Sequence, residues 1–162
     1  IDNGWIATNA LSVIYDCENW IFSIITSKMH TIWIKTVCGC LETRIRYSSV
    51  LGYNTFPFPP ISDNRKQELT ASTFSILEER EKYSDKTLAQ LYDPEKMPDG
   101  LREAHHLNDL AVERCYRSEP FESDEKRLKY LFNLYEKMIA EENSRGTLFA
   151  VQKKKRKRKT NA

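Results

Sequence analysis

An α+β fold is predicted, in which a strand–helix–strand piece is followed by a small, mainly α-helical bundle. Three observations predict it. Loosely alternating β-branched and aromatic residues at 5–16 and 41–53 flank a stretch of helical period at 18–37. Beyond Pro60 the apolar residues fall at helical spacing. Between these halves lies Tyr53-Asn54-Thr55-Phe56-Pro57-Phe58-Pro59-Pro60, which no regular element can hold in its interior. Proline supplies no amide hydrogen and drives its predecessor out of the helical basin.

The elements follow in order. Residues 5–16 suit one or two strands. From 18 to 37, Ile21, Ile24, Ile25, Met29, Ile32, Trp33 and Val37 share one helical face, and Gly39 stands where a C-terminal cap belongs. Leu41 to Tyr53 returns to strand-like alternation. After Pro60, Leu69, Thr73, Ile76 and Leu77 phase helically from a start at Ser62 or Asp63. Thr87 and Gln90 form a capping box for a short helix ending at Asp93-Pro94. Pro98 suits the first turn of a helix running to about Tyr116, with Leu101, Ala104, Ala111, Val112 and Cys115 inward. Ser123, followed by Asp124 and Glu125, starts the last helix, striped by Leu128, Leu131, Phe132, Tyr135, Met138 and Ile139. Three regions result: 1–60, the helical 61–145, and a basic tail at 146–162 expected to be disordered.

With 162 residues, 40% of them apolar and 30% charged, the chain can build one ordinary domain or two small ones. It opens on Ile1 rather than Met, so it is expected to be part of a longer polypeptide. Nothing resembles a signal peptide, and Lys28, His30 and Lys35 interrupt the longest apolar stretch, so no membrane partner is expected. Cys17, Cys38, Cys40 and Cys115 lack zinc-binding spacing and suit free thiols in a reducing cytoplasm. The net charge of +2 hides an asymmetry. Residues 153–159 are all lysine or arginine, and removing these seven leaves 18 basic against 23 acidic residues, a body at −5. Such a tail suits a solubilising terminus or non-specific phosphate attraction, and a nuclear-import signal has the same composition.

Catalytic patterns are absent. The five glycines are scattered, so no phosphate-cradling loop exists, and no serine sits in a nucleophile elbow. Neighbouring His105 and His106 point about 100° apart on a helix and cannot share a metal. Phe58-Pro59-Pro60 resembles the Asn-Pro-Pro-aromatic loop of DNA amino-methyltransferases. Phenylalanine has no acceptor for an amino group, however, and Asn54 lies too far upstream to replace one.

The order of several motifs is nevertheless distinctive. Ser27-Lys28-Met29-His30-Thr31-Ile32-Trp33, Val37-Cys38-Gly39, Arg46-Tyr47-Ser48 and Tyr53 through Pro59 resemble the end of a target-recognition domain. The family is the MmeI-like one, which fuses restriction nuclease and adenine methyltransferase. Thr87 through Pro94, Met97-Pro98, Ala104-His105, and Arg127 through Glu136 resemble the helical C-terminal domain of the same enzymes. The resemblance implies a bacterial, cytoplasmic parent that transfers a methyl group from S-adenosylmethionine to adenine in a short DNA site. This segment then supplies sequence recognition and duplex clamping, with double-stranded DNA and the upstream methyltransferase domain as partners. It holds no catalytic residue, cofactor or metal of its own.

A strand from Leu41 to Arg46 would put Glu42, Arg44 and Arg46 on one face, since strand side chains repeat every second residue. Guanine offers two acceptors to arginine in the major groove, and cytosine offers an amino donor to a carboxylate. Glu42 and Arg44 are therefore expected to read one G·C pair, with a same-face surface ion pair as the alternative, and the resemblance implies the base-reading role for them. Arg46, Tyr47, Lys28 and Lys35 are expected on the DNA backbone; a core position is the alternative for Tyr47, and a solvated face for the lysines. Two other readings compete: a helical protein-interaction module with a proline-rich ligand stretch, and a non-specific nucleic-acid binder driven by the tail. Phe56 and Phe58 are too apolar to suit an exposed proline ligand.

Overall fold

The computed structural model describes residues 12–41 and 44–145. The predicted strand at 5–16 falls largely outside them. Its described end has no regular structure and turns at Tyr15-Asp16, where Asp16 takes a left-handed backbone with φ 50°.

The single helix expected over 18–37 is two: α1, Asn19–Ile25, and α2, Lys28–Val37. Hydroxyl groups make the break. Thr26 Oγ1 donates to the Phe22 carbonyl at 2.8 Å and Ser27 Oγ to the Ile24 carbonyl at 2.6 Å, while Ser27 caps α2 by accepting from the His30 amide. Side chains that bond nearby backbone compete with the helical ladder, and here they end one helix and begin the next.

The α+β expectation is overturned. The molecule is helical, and its sheet among the described residues is a two-residue antiparallel ladder of β1, Cys40–Leu41, and β2, Arg44–Ile45. The pairing of Leu41 with Arg44 means that the chain reverses between them, so Leu41 to Tyr53 is no continuous strand. The Arg46 amide adds one further bond, to the Gly39 carbonyl at 2.8 Å. The chain then winds into a π-helical turn, Ser49–Tyr53. Alternating β-branched and aromatic residues suggest strand, but that pattern measures fit to a pleated surface, and among the described residues no strand beyond the short β1–β2 pair supplies one.

Downstream, the local signals hold. Ser62 caps α3, Asp63–Glu81; both halves of the Thr87/Gln90 capping box close α4, Leu88–Leu91. Pro98 stands at the N-cap of α5, Asp99–Tyr116. Ser123 Oγ accepts the Lys126 amide at 3.2 Å to open α6, Asp124–Arg145. Leu101, Ala104, Ala111, Val112 and Leu131 are buried, and Cys115 is half-buried.

One hydrophobic core joins residues from both sides of Pro60. Ile24, Met29, Trp33 and Phe56 pack with Leu69, Ala111, Val112, Phe121 and Leu131. A smaller core gathers Ile76, Leu91, Leu101 and Ala104. Helix α1 lies against α3 and α5, and α2 lies against α6. Buried polar bonds fix that seating: the Ser23 hydroxyl donates to Asn108 Oδ1, and Asn108 Nδ2 returns a bond to the Ser23 carbonyl at 2.9 Å. The proline-aromatic run is part of this core. Phe56 meets His30 edge-on at 4.8 Å and Phe58 at 5.1 Å, and the Pro57 carbonyl accepts from Tyr116 at 3.2 Å. Pro57 and Pro60 stand at PxxP spacing, but Pro57 and Pro59 are buried, which takes this stretch out of reach of a proline-binding groove.

Candidate nucleic-acid interface

The ladder and the turn after it hang from the C-terminal end of α2. Gly39 joins them to the helix, and Gly52 seats the turn on it. A Cβ at Gly52 would stand 3.2 Å from each of Cys38 Sγ, Ile34 Cγ2 and Tyr47 Cε2, so only glycine allows this approach without a shift.

Of the residues expected to touch DNA, Glu42 lies outside the described residues, and Arg44 is described by its backbone alone, paired with Leu41. The single strand face that would have aligned Glu42, Arg44 and Arg46 is replaced by a chain reversal. Arg46 is exposed. Tyr47 is 40% exposed, with its ring 6.1 Å from that of His30. Burial raises its hydroxyl pKa, and the nearby Cys38 and Tyr53 add to that.

Lys35 is exposed in the last turn of α2, at the end that carries the ladder. Lys28 sits seven residues away, about 10 Å along the axis. Its ammonium is 3.2 Å from Asp124 on α6, and its amide donates to Asp109 Oδ1 on α5 at 2.7 Å. Lys28 thus ties α2 to the helical bundle, whereas neither Lys35 nor Arg46 makes an ion pair among the described residues.

Sequence reasoning missed His30. It is 2% exposed, neither ring nitrogen has a partner, and burial lowers its pKa to about 4. It borders a cleft of about 560 Å³ whose walls include Ile14, Ile34, Tyr47, Tyr53 and Asn54. A histidine inside an apolar helical stripe gives no sign in sequence of whether it is paired. Also missed were Val50 and Leu51, exposed at the apex of the turn, because a strand reading would have buried one of the two. No group of three or more histidine, cysteine, aspartate or glutamate side chains that could hold a metal occurs among the described residues.

Fold and surface together define a class: a helical module whose core braces a short two-stranded ladder. The chain belongs to the MmeI family. Residues 1–60 match the model for "MmeI, target recognition domain" and residues 61–141 that for "MmeI, C-terminal domain". DNA methyltransferase A of Bacillus subtilis (strain 168) is 47% identical over 133 residues, which are 82% of this chain and 15% of that protein. The solved structure of the Type IIL restriction-modification enzyme MmeI in complex with DNA superposes with a TM-score of 0.74 at 38% identity, over 77% of this chain and 17% of the other. The chain thus spans less than a fifth of either relative. No helix among the described residues is long and apolar enough to cross a membrane.

Proposed function

We propose that this chain forms the end of the target-recognition region and the helical C-terminal domain of a site-specific DNA adenine methyltransferase of restriction-modification type. In this reading it contributes sequence recognition and holds the duplex, while catalysis lies elsewhere in the polypeptide. The observation that carries the reading is the likeness, over most of the chain, to an MmeI structure solved with DNA.

A two-stranded ribbon fits the major groove. The β1–β2 ladder after α2 is the element of suitable size, and in this reading Arg44 reads the guanine and Glu42 the cytosine of one pair. Arg46, Tyr47 and Lys35 follow the phosphate backbone beside it. Lys28 contributes less to that contact, because Asp124 already shares its charge. The helices act as a brace: α2 is fixed on α5 and α6, so the ladder meets DNA with its orientation already set.

The parent's methyl donor would be S-adenosylmethionine, and the cleft beside His30 does not fit it. None of the described residues lining that cleft is a carboxylate to take ribose hydroxyls. We therefore assign the cofactor to another part of the parent.

The test compares two variants of the complete methyltransferase, Arg44→Ala with Arg46→Ala, and deletion of 153–159. The reading expects the arginine pair to lose site-selective binding and the tail deletion to keep it. Loss of all binding with the tail alone would support the non-specific reading instead.

A further inference from the structure

The π-helical turn Ser49–Tyr53 is firmly held yet presents aliphatic side chains to water. Ser48 Oγ accepts the Leu51 amide at 3.3 Å, the Ser48 carbonyl accepts the Gly52 amide at 2.6 Å, and the Ser49 carbonyl accepts the Asn54 amide at 2.9 Å. Thr55 Oγ1 donates to the Leu51 carbonyl and accepts from Trp33 Nε1 at 3.2 Å, which ties the turn to the main core. Gly52 closes its underside on Cys38 and Ile34. The apex is left outside: Val50 is 64% and Leu51 47% exposed.

Charge indicates what covers them. Between Asn19 and Ser62 the sequence holds four cations, Lys28, Lys35, Arg44 and Arg46, and one acid, Glu42. The rest of the chain up to the tail is acidic. The exposed aliphatics therefore follow Arg46 by only a few residues, in the one cationic part of an anionic body, and Lys35 and Arg46 have no ion-pair partners among the described residues. A polyanion with apolar edges answers both features, and duplex DNA offers phosphates beside deoxyribose carbons and thymine methyl groups.

We infer that the Ser49–Tyr53 turn is a second DNA contact, in which Val50 and Leu51 seat on the apolar edge of the duplex while Arg46 takes a phosphate beside it. This rests on the DNA-reading role proposed above, and adds an apolar element to it. Such a contact releases no counterions, so its contribution should be independent of salt.

The test uses the complete methyltransferase and a duplex carrying the site it methylates, with dissociation constants measured across a salt series. Val50→Ser with Leu51→Ser should weaken binding about tenfold with an unchanged salt slope, whereas Arg46→Ala should flatten the slope by about one phosphate contact. Leu51→Met, which keeps the apolar surface, should bind as the unaltered enzyme does. If Arg46→Ala weakens binding and the serine pair does not, the inference is overturned and the DNA-reading role stands. If neither affects binding, both fall. A serine pair that lowers only the melting temperature would show a protein surface over the turn, which also overturns the inference.

Discussion

Arg127 on α6 grips Glu113 on α5: its Nε and Nη2 lie 2.7 and 2.6 Å from the same carboxylate oxygen, Oε1. The other oxygen, Oε2, accepts the Phe121 amide at 3.0 Å, so the buried carboxylate is satisfied on both sides. Arg127 Nη1 reaches Asp124 at 2.9 Å, and Asp124 reaches Lys28. One polar chain thus runs from α5 through α6 to the start of α2. Removing one partner of a buried pair costs about 3–5 kcal/mol, because the other is left charged and unpaired. Arg127→Met should lower stability by that order in urea unfolding, and Lys28→Met, at an exposed pair, by under about 1 kcal/mol.

His30 sets a pH dependence. Its folded pKa of about 4 lies below the ordinary 6.5, so the unfolded chain binds the proton more readily between those values. Stability associated with neutral His30 is fully present above pH 6.5 and is lost as pH falls toward 4. A displacement of this size corresponds to roughly 3 kcal/mol. His30→Gln should flatten the stability profile across that window, measured as urea midpoints at pH 7, 6, 5 and 4. An unchanged slope would mean that other groups carry the acid sensitivity.

Tyr92 fastens the smaller core. Its hydroxyl accepts from Arg80 Nε at 2.7 Å and lies 2.7 Å from His105 Nε2, bridging α3 and α5 just after α4. Tyr92→Phe keeps the ring beneath the Arg80 guanidinium but removes both bonds from partners that are only half-buried. About 0.5–1.5 kcal/mol of stability should be lost, read as a drop in urea midpoint without loss of helical circular dichroism.

Gly52→Ala should cost about 1–3 kcal/mol through overpacking, because the new methyl group meets Cys38, Ile34 and Tyr47 together. Shortening Cys38 to alanine in the same chain should recover part of that loss, whereas Cys38→Ala alone should be mildly destabilising. Additive losses in the double variant would contradict the packing account of the turn.

What was legible in the sequence was local. Ser62, Thr87 with Gln90, and Ser123 each announced a helix start, because a cap is a short-range bond between a side chain and backbone a few residues ahead, whereas Pro98 announced one through its fixed φ without any side-chain bond. The break at Thr26-Ser27 was missed although its hydroxyls are also local, since the apolar stripe runs through it in phase. The strands at 41–53 failed for another reason: alternation shows which side chains could share a face, not where the chain turns back. The ion pair of Lys28 with Asp124 was not legible, because the two lie 96 positions apart and no spacing rule reaches that far. His30 and the apex of the turn were invisible for the same reason, since both are defined by what folds against them or fails to.

Base reading by Glu42 and Arg44 is the central claim, and one measurement meets it directly. In the complete methyltransferase, Glu42 and Arg44 are exchanged for lysine and aspartate, and the methylated sites are mapped by sequencing. The account predicts that methylation persists and that the base pair accepted at one fixed position of the site changes. Methylation at the original site with unaltered preference, or a drop in methylation with no change in the recognised base, would contradict it.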